Sequence, residues 1–321
     1  MSNPSRRDFL GGAIAAGLAA ACPRSVFAQT SAAPPLAAAP FRFAHLSDIH
    51  IEPELSAPQG FAQCLKSLQT LDKRPDFILT GGDLVFDVLE ASPQRAKELF
   101  GLYSKVLFDN TNIPVHNTLG NHDVFGWMTR DGLTPKSPGY GKALAKDLLH
   151  LPESYHEFEH KGWHFFVLDN IQPAADPAQV YQGGLDRTQW EWLTERLKRC
   201  KPGTPIAVCE HIPMLTVTAF AFPGTYKQNK WEFSNSLVCG DTVERLKLYA
   251  DYNVRLCLSG HVHQLDKIDY RGMTVICDGA VCGNWWKGPR EGVKEGYGVL
   301  DLYPDGRVEH HYRAYGWKAR A

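Results

Sequence analysis

Positive charge is not in excess in this sequence. Across 321 residues, 34 Lys and Arg face 35 Asp and Glu, for a formal net charge of −1. The basic field by which a general nucleic-acid binder attracts its ligand is missing, and no specific nucleic-acid partner is expected. Long hydrophobic runs are missing too. The weakly apolar stretch from Gly11 to Ala21 is mostly Gly and Ala, with only Ile14 and Leu18 among them, and is shorter than the roughly 18 residues of a membrane span, so no stable membrane anchor is expected. The eight cysteines lack the regular close spacing of a disulfide scaffold. There is no internal repeat, and with 44% hydrophobic and 21% charged residues disordered, collagen-like and coiled-coil chains are excluded. What remains is a globular chain long enough for one large α/β domain with a short appendage.

The appendage is legible at the N-terminus. Ser5-Arg6-Arg7-Asp8-Phe9-Leu10, then the Gly/Ala run, then Pro23-Arg24 and Val26-Phe27-Ala28, have the layout of a signal peptide. The paired arginines followed by Phe-Leu resemble the twin-arginine motif. Residues 1–28 are therefore expected to be a twin-arginine signal cleaved near Ala28, with the translocase as partner during export and the periplasm as destination. A lipid-attached Cys22 is a lesser alternative, because Ala19-Ala20-Ala21 lacks the usual Leu. Residues 29–40 read as an Ala/Pro linker, 41–315 as the catalytic domain and 316–321 as a tail. Seven cysteines remain after cleavage, so at least one is unpaired in the monomer. Cys209, Cys257 and Cys277 lie in apolar runs and are expected to be buried as small hydrophobes.

From Phe41 onward, short apolar runs alternate with helical patterns. Phe41–Ser47, Phe77–Gly81, Ile113–Leu119, Trp163–Asp169, Ile206–Cys209, Val254–Leu258, Met273–Asp278 and Tyr297–Tyr303 read as strands. Phe61, Leu65, Leu68 and Leu71 repeat at helical spacing, as do Leu99, Leu102 and Val106, then Trp190, Leu193 and Leu197, and finally Val243, Leu246 and Tyr249. This order predicts a mixed sheet with helices outside and ligand groups where strands run into loops.

Five polar clusters fall at the carboxyl ends of apolar runs: Asp48-Ile49-His50, Gly82-Asp83, Gly120-Asn121-His122-Asp123, His211-Ile212-Pro213 and Gly260-His261-Val262-His263. Residues two apart share a face of an extended chain, so Asp48 with His50, and His261 with His263, can aim at a common centre. Together the clusters supply carboxylate, imidazole and amide groups without thiolate, a donor set for borderline or hard metals rather than for a Cys-based structural zinc. His45 alternates onto the other face from Asp48, and His116, His150, His156, His160, His164, His310 and His311 fit no such cluster.

In order and spacing, these clusters resemble the calcineurin-like metallophosphoesterase superfamily. The Asp-x-His opening is similar to class III cyclic nucleotide phosphodiesterases and bacterial glycerophosphodiesterases. The resemblance implies an α/β four-layer sandwich, two mixed β-sheets flanked by helices. It implies two divalent or trivalent ions of Fe, Mn or Zn, one held by Asp48, His50, Asp83 and His263, the other by Asp83, Asn121, His211 and His261, with Asp83 bridging. The purple acid phosphatases carry a Tyr after the Gly-Asp motif, which Leu84-Val85-Phe86 lacks. A hydroxide shared by the two ions would attack phosphorus in line. His122 would then serve the leaving oxygen, with Asp123 orienting it.

Trp127, Trp285, Trp286 and Lys287 are candidates to line the substrate cleft, and Thr216–Ser236 to cap it. The expected activity is hydrolysis of a small-molecule phosphate ester, with a diester ahead of a monoester. A non-catalytic interaction module is the remote alternative, disfavoured because all seven ligand positions are filled.

Overall fold

The computed structural model describes residues 39–128 and 132–319. The expected signal peptide, Cys22 and all but the end of the linker lie outside the described residues. Two sheets lie face to face. The first has five strands in the order Val308–Ala314, Gly296–Leu302, Phe41–Leu46, Ile78–Thr80 and Val115–His116. The second has six, in the order Asp266–Tyr270, Met273–Cys277, Val254–Ser259, Ile206–Cys209, Trp163–Val167 and His156–His160. Both are mixed: Phe41–Leu46 runs parallel to Ile78–Thr80 and antiparallel to Gly296–Leu302.

Alternation along the strands builds the layers. Phe41 and Phe43 point to the inner face, where with Phe77 and Leu79 they meet Phe165, Val167, Leu256 and Ile276 of the other sheet. Ala44 and Leu46 point outward, under Phe61, Leu65, Leu99 and Tyr103 of the helices Ala57–Leu68 and Pro93–Asn110. On the far side, Leu193 and Leu197 of Arg187–Leu197 and Tyr249 of Thr242–Tyr249 cover Phe166, Val208 and Val275. A strand buried on both faces reads as a continuous apolar run, which is why the central strands stand out in the sequence. The result is the expected four-layer α/β sandwich.

The differences are at the edges. His156–His160 and Val308–Ala314 are edge strands of sequence HEFEH and VEHHYRA, too polar to show a run. The apolar stretch Ile113–Leu119 pairs only at Val115–His116, because the following residues leave the sheet to enter the site. Met273–Cys277 and Asp266–Tyr270 form a hairpin over Arg271-Gly272, both with positive φ (50 and 81°). All seven cysteines among the described residues are free, and Cys209, Cys257 and Cys277 are buried. No helix among the described residues is long and apolar enough to cross a membrane.

Candidate metal centre

The seven expected ligands converge at one end of the sandwich, on loops that leave strands of both sheets. His50 Nε2 lies 3.1 Å from His263 Nε2, and His263 Nε2 lies 3.3 Å from Asp48 Oδ1. Beside them, His211 Nε2 is 3.0 Å from Asn121 Oδ1 and 3.2 Å from His261 Nδ1. Asp83 Oδ2 joins the two groups, at 3.4 Å from His50 Nε2 and 3.1 Å from His211 Nε2.

This donor set fits cations. Each imidazole spends its other nitrogen on a backbone carbonyl: His50 Nδ1 on Phe86, His211 Nδ1 on Gly81, His263 Nδ1 on Gly283 and His261 Nε2 on Ser236. That fixes the tautomer and leaves the inward nitrogen free to coordinate. Burial pushes His50 down to about 3 and His261 to about 4, keeping both neutral. Burial would also lower His211 and His263, but Asp83 lifts the first to about 9 and Asp48 holds the second well above its ordinary value, so cations binding there would displace protons. Burial would raise the Asp48 carboxyl, but the neighbouring His263 outweighs it and holds the group ionised.

The backbone reaches this arrangement through strain rather than through the extended alternation expected for Asp48/His50 and His261/His263. Asp48, His50, Asp83, His261 and His263 all take left-handed backbone, with φ between 43 and 73°, at about 1–3 kcal/mol each. Hydrogen bonds between loops hold them there, among them Asp48 N–H to the Gly82 carbonyl (3.0 Å) and His50 N–H to that of Asp83 (2.9 Å). Glycines let the loops close up. A Cβ on Gly120 would stand 2.1 Å from Asp83 Oδ1, and one on Gly260 2.4 Å from Asp48 Oδ2.

His122 lies at the rim, its ring 5.0 Å from that of His50, and its backbone N–H donates to Asp83 Oδ1 at 2.8 Å. Asp123 does not orient it. The Asp123 carboxylate accepts the N–H groups of Leu84, Val85 and Gly120 at 2.8–3.1 Å, tying two ligand loops together. Burial and the nearby Asp83 push its carboxyl up to about 7. The carboxylate facing His122 is Asp87, with Oδ2 3.3 Å from Nδ1. Burial would lower His122, but Asp83 and Asp87 hold it above its ordinary value.

Of the cleft candidates, Trp285 stands at the site, its ring 3.8 Å from that of His50 and 5.0 Å from that of His122. Trp286 does not. It is 1% exposed, packs under Gly60, and donates its indole N–H to the His50 carbonyl at 2.9 Å, so it supports a ligand loop from below. Trp127 packs against the outer core of the second sheet with the Lys142 ammonium 5.9 Å from its ring, and Lys287 is exposed, its charge acting on Glu52.

A cavity of about 800 Å³ opens beside His261. Phe222, Thr225 and Phe233 of the expected cap line it, with Tyr181, Gln179 and Arg290. His261 belongs to both the metal cluster and this cavity, and the Tyr181 ring lies 6.1 Å from its own. Burial and the carboxylates of Asp83 and Asp87 raise the Tyr181 phenol. Behind His211, the fully buried Arg245 pairs with Glu210 and Asp241, and Asn170 Nδ2 donates to Glu210 at 2.9 Å.

A four-layer sandwich with two histidine and carboxylate clusters sharing one aspartate defines a dimetal phosphoesterase class of site. The chain belongs to the calcineurin-like phosphoesterase family, which matches it over residues 41–265. It is 26% identical over 273 residues, 82% of this chain and 85% of the other, to a protein described as a probable cyclic nucleotide phosphodiesterase from Psychrobacter arcticus. Its fold is similar to that of a dimetal phosphatase from Danio rerio (TM-score 0.56, 14% identity, 86% of this chain and 96% of that one). It is also similar to that of the anchor of the inner membrane complex of Plasmodium (TM-score 0.53, 17% identity, 86% and 85%).

Proposed function

We propose that the protein is an exported, dinuclear metal-dependent hydrolase of phosphoric esters that prefers diesters. The observation that carries this reading is Asp83, whose Oδ2 faces both donor clusters at 3.1–3.4 Å. When bound, two cations of the Fe, Mn or Zn type would supply an activated water and neutralise phosphoryl charge. Asp48, His50, Asp83 and His263 would hold one, and Asp83, Asn121, His211 and His261 the other.

The protein's own groups do the rest. Asp123 keeps the Asp83 and Asn121 loops in register. His122, with Asp87 Oδ2 3.3 Å from its Nδ1, would hand a proton to the leaving oxygen. Trp285 walls the His50 side, while Tyr181 lines the cavity beside His261. Diester preference is supported by the Psychrobacter relative and by a cavity large enough for a second ester substituent. Export is supported by Arg6-Arg7 and the Gly/Ala run that follows.

The test is a comparison of kcat/KM for bis-ester, mono-ester and cyclic nucleotide substrates on metal-reconstituted protein. Faster turnover of monoesters than of both diester classes makes it a phosphomonoesterase. Absence of hydrolysis with both ions bound returns the non-catalytic reading.

A further inference from the structure

The cap carries more aromatic surface than its packing uses. A short helix, Val217–Phe220, leads to a ribbon in which Tyr226–Lys227 pairs with Lys230–Trp231 across left-handed Gln228 and Asn229. Val217, Phe220, Tyr226, Trp231 and Phe233 are each 37–57% exposed. The rings pack on one another: Phe220 lies 5.0 Å from Trp231 and 4.9 Å from Phe233, and Tyr226 4.8 Å from Trp231. A contiguous exposed patch of this kind marks an interaction surface.

Its polar rim says what kind. Lys227 and Lys230 flank the tip, both are exposed, and neither has an ion-pair partner among the described residues. With Glu232 the ribbon has a local excess of positive charge on a chain whose formal total is −1. Amphipathic Trp and Tyr rings beside mobile ammonium groups are the composition of a surface that rests at the headgroup level of a bilayer, with rings in the acyl boundary and lysines at the phosphates. Protein interfaces favour Arg and deplete Lys, and two-residue strands are too short to template a partner strand. The outward rings are not a substrate wall either: Phe222 and Phe233 line the cavity beside His261, whereas Phe220, Tyr226 and Trp231 do not.

We propose that this ribbon is a peripheral, reversible docking element for an anionic phospholipid surface. Docking would set the mouth of the cavity against the headgroup layer, favouring phosphodiesters presented by an amphiphile. That consequence rests on the hydrolase reading above, whereas the docking does not.

The experiment is co-sedimentation of the full chain with vesicles of phosphatidylcholine alone or with a quarter phosphatidylglycerol. Binding is expected to the anionic vesicles only and to weaken with salt. It should fall at least tenfold in F220S/W231S and severalfold in K230E, none of whose residues lines the cavity, while melting temperature and hydrolysis of a soluble nitrophenyl ester stay at the parent level. No vesicle binding by the parent, or equal binding by parent and both variants, overturns the proposal. So does a concentration-dependent dimer that F220S/W231S abolishes, since a second copy would then own the patch. Failure of the parent on soluble esters counts against the hydrolase reading and leaves the vesicle result to stand alone.

Discussion

The Ser236 carbonyl accepts the Nε2–H of His261 at 2.8 Å, so one hydrogen bond joins the cap to the metal cluster. The same strap is pinned where Gly183 N–H donates to the Asn235 carbonyl at 2.6 Å. A cation on His261 Nδ1 fixes the ring and with it the strap. Chelation is therefore expected to speed amide exchange over residues 234–239 while the central strands keep their protection. Identical exchange with and without metal would show that the cap is held independently of the centre.

His122 is placed to act on the leaving oxygen. His122→Ala is expected to keep both metals and to lose about 10²–10⁴-fold in kcat on alkyl esters, with a smaller loss on nitrophenyl esters, whose leaving groups are already good anions. An equal loss on both would make His122 a phosphate-binding group. Asp87→Asn should reproduce part of the alkyl-ester defect, since Asp87 is the carboxylate facing the imidazole.

Stability behind the site depends on a buried charge pair. Arg245 is fully buried against Glu210 and Asp241, so Arg245→Ala leaves the interior Glu210 uncompensated, at a cost of about 3–5 kcal/mol. Denaturant unfolding is the measure. Arg245→Ala combined with Glu210→Gln should recover much of the loss, and failure to recover would mean that packing around the Arg245 stem matters more than its charge.

A second buried network sits between the sheets. Asp278 Oδ2 is 2.7 Å from His45 Nδ1 and its Oδ1 2.8 Å from His310 Nε2. Burial alone would lower His45, but Asp278 lifts it to about 10; burial alone would raise Asp278, but the two imidazoles bring it down to about 2. His45 is raised in the fold, so its contribution is complete below its unfolded value of about 6.5 and fades as pH climbs toward 10. Asp278 is depressed, so its contribution is present above about 4 and is lost as pH falls toward 2. Asp278→Asn is expected to lower stability at pH 6 and to flatten the decline between pH 7 and 10. An unchanged alkaline slope would show that His45 does not titrate there.

Asp48, Asp83, His211, His261 and His263 could be read from the sequence because each follows a strand buried on both sides, and such strands are apolar runs. Asn121 follows the half-buried edge strand Val115–His116 and was legible from the apolar stretch Ile113–Leu119 around it. What failed was local geometry. The Asp48/His50 pairing was expected from extended alternation, yet both residues are left-handed, a conformation dictated by neighbouring loops distant in sequence. Asp87 sits four residues after Asp83, where a carboxylate partner for His122 could have been sought. Tyr181 comes from the ribbon Ile171–Pro173/Tyr181–Gly183, which carries no hydrophobic period. Trp285 and Trp286 are adjacent and indistinguishable by composition, but left-handed backbone at both sends one ring to the centre and the other into the core.

That buried ring makes a remote position sensitive. A Cβ on Gly60 would lie 2.3 Å from Trp286 Cζ3 and 2.9 Å from Cε3, so Gly60→Ala must move either the helix Ala57–Leu68 or the indole. The helix is fixed by Phe61, Leu65 and Leu68 in the core, which leaves the indole, whose N–H holds the His50 carbonyl. Although Ala favours helix over Gly by up to about 1 kcal/mol, the overpacking costs about 1–3 kcal/mol, so a net loss of stability is expected. Metal affinity should fall too, although no ligand is altered. Calorimetric metal titration beside thermal melts separates the effects: lower stability with unchanged affinity would show that Trp286 packs the core without positioning His50.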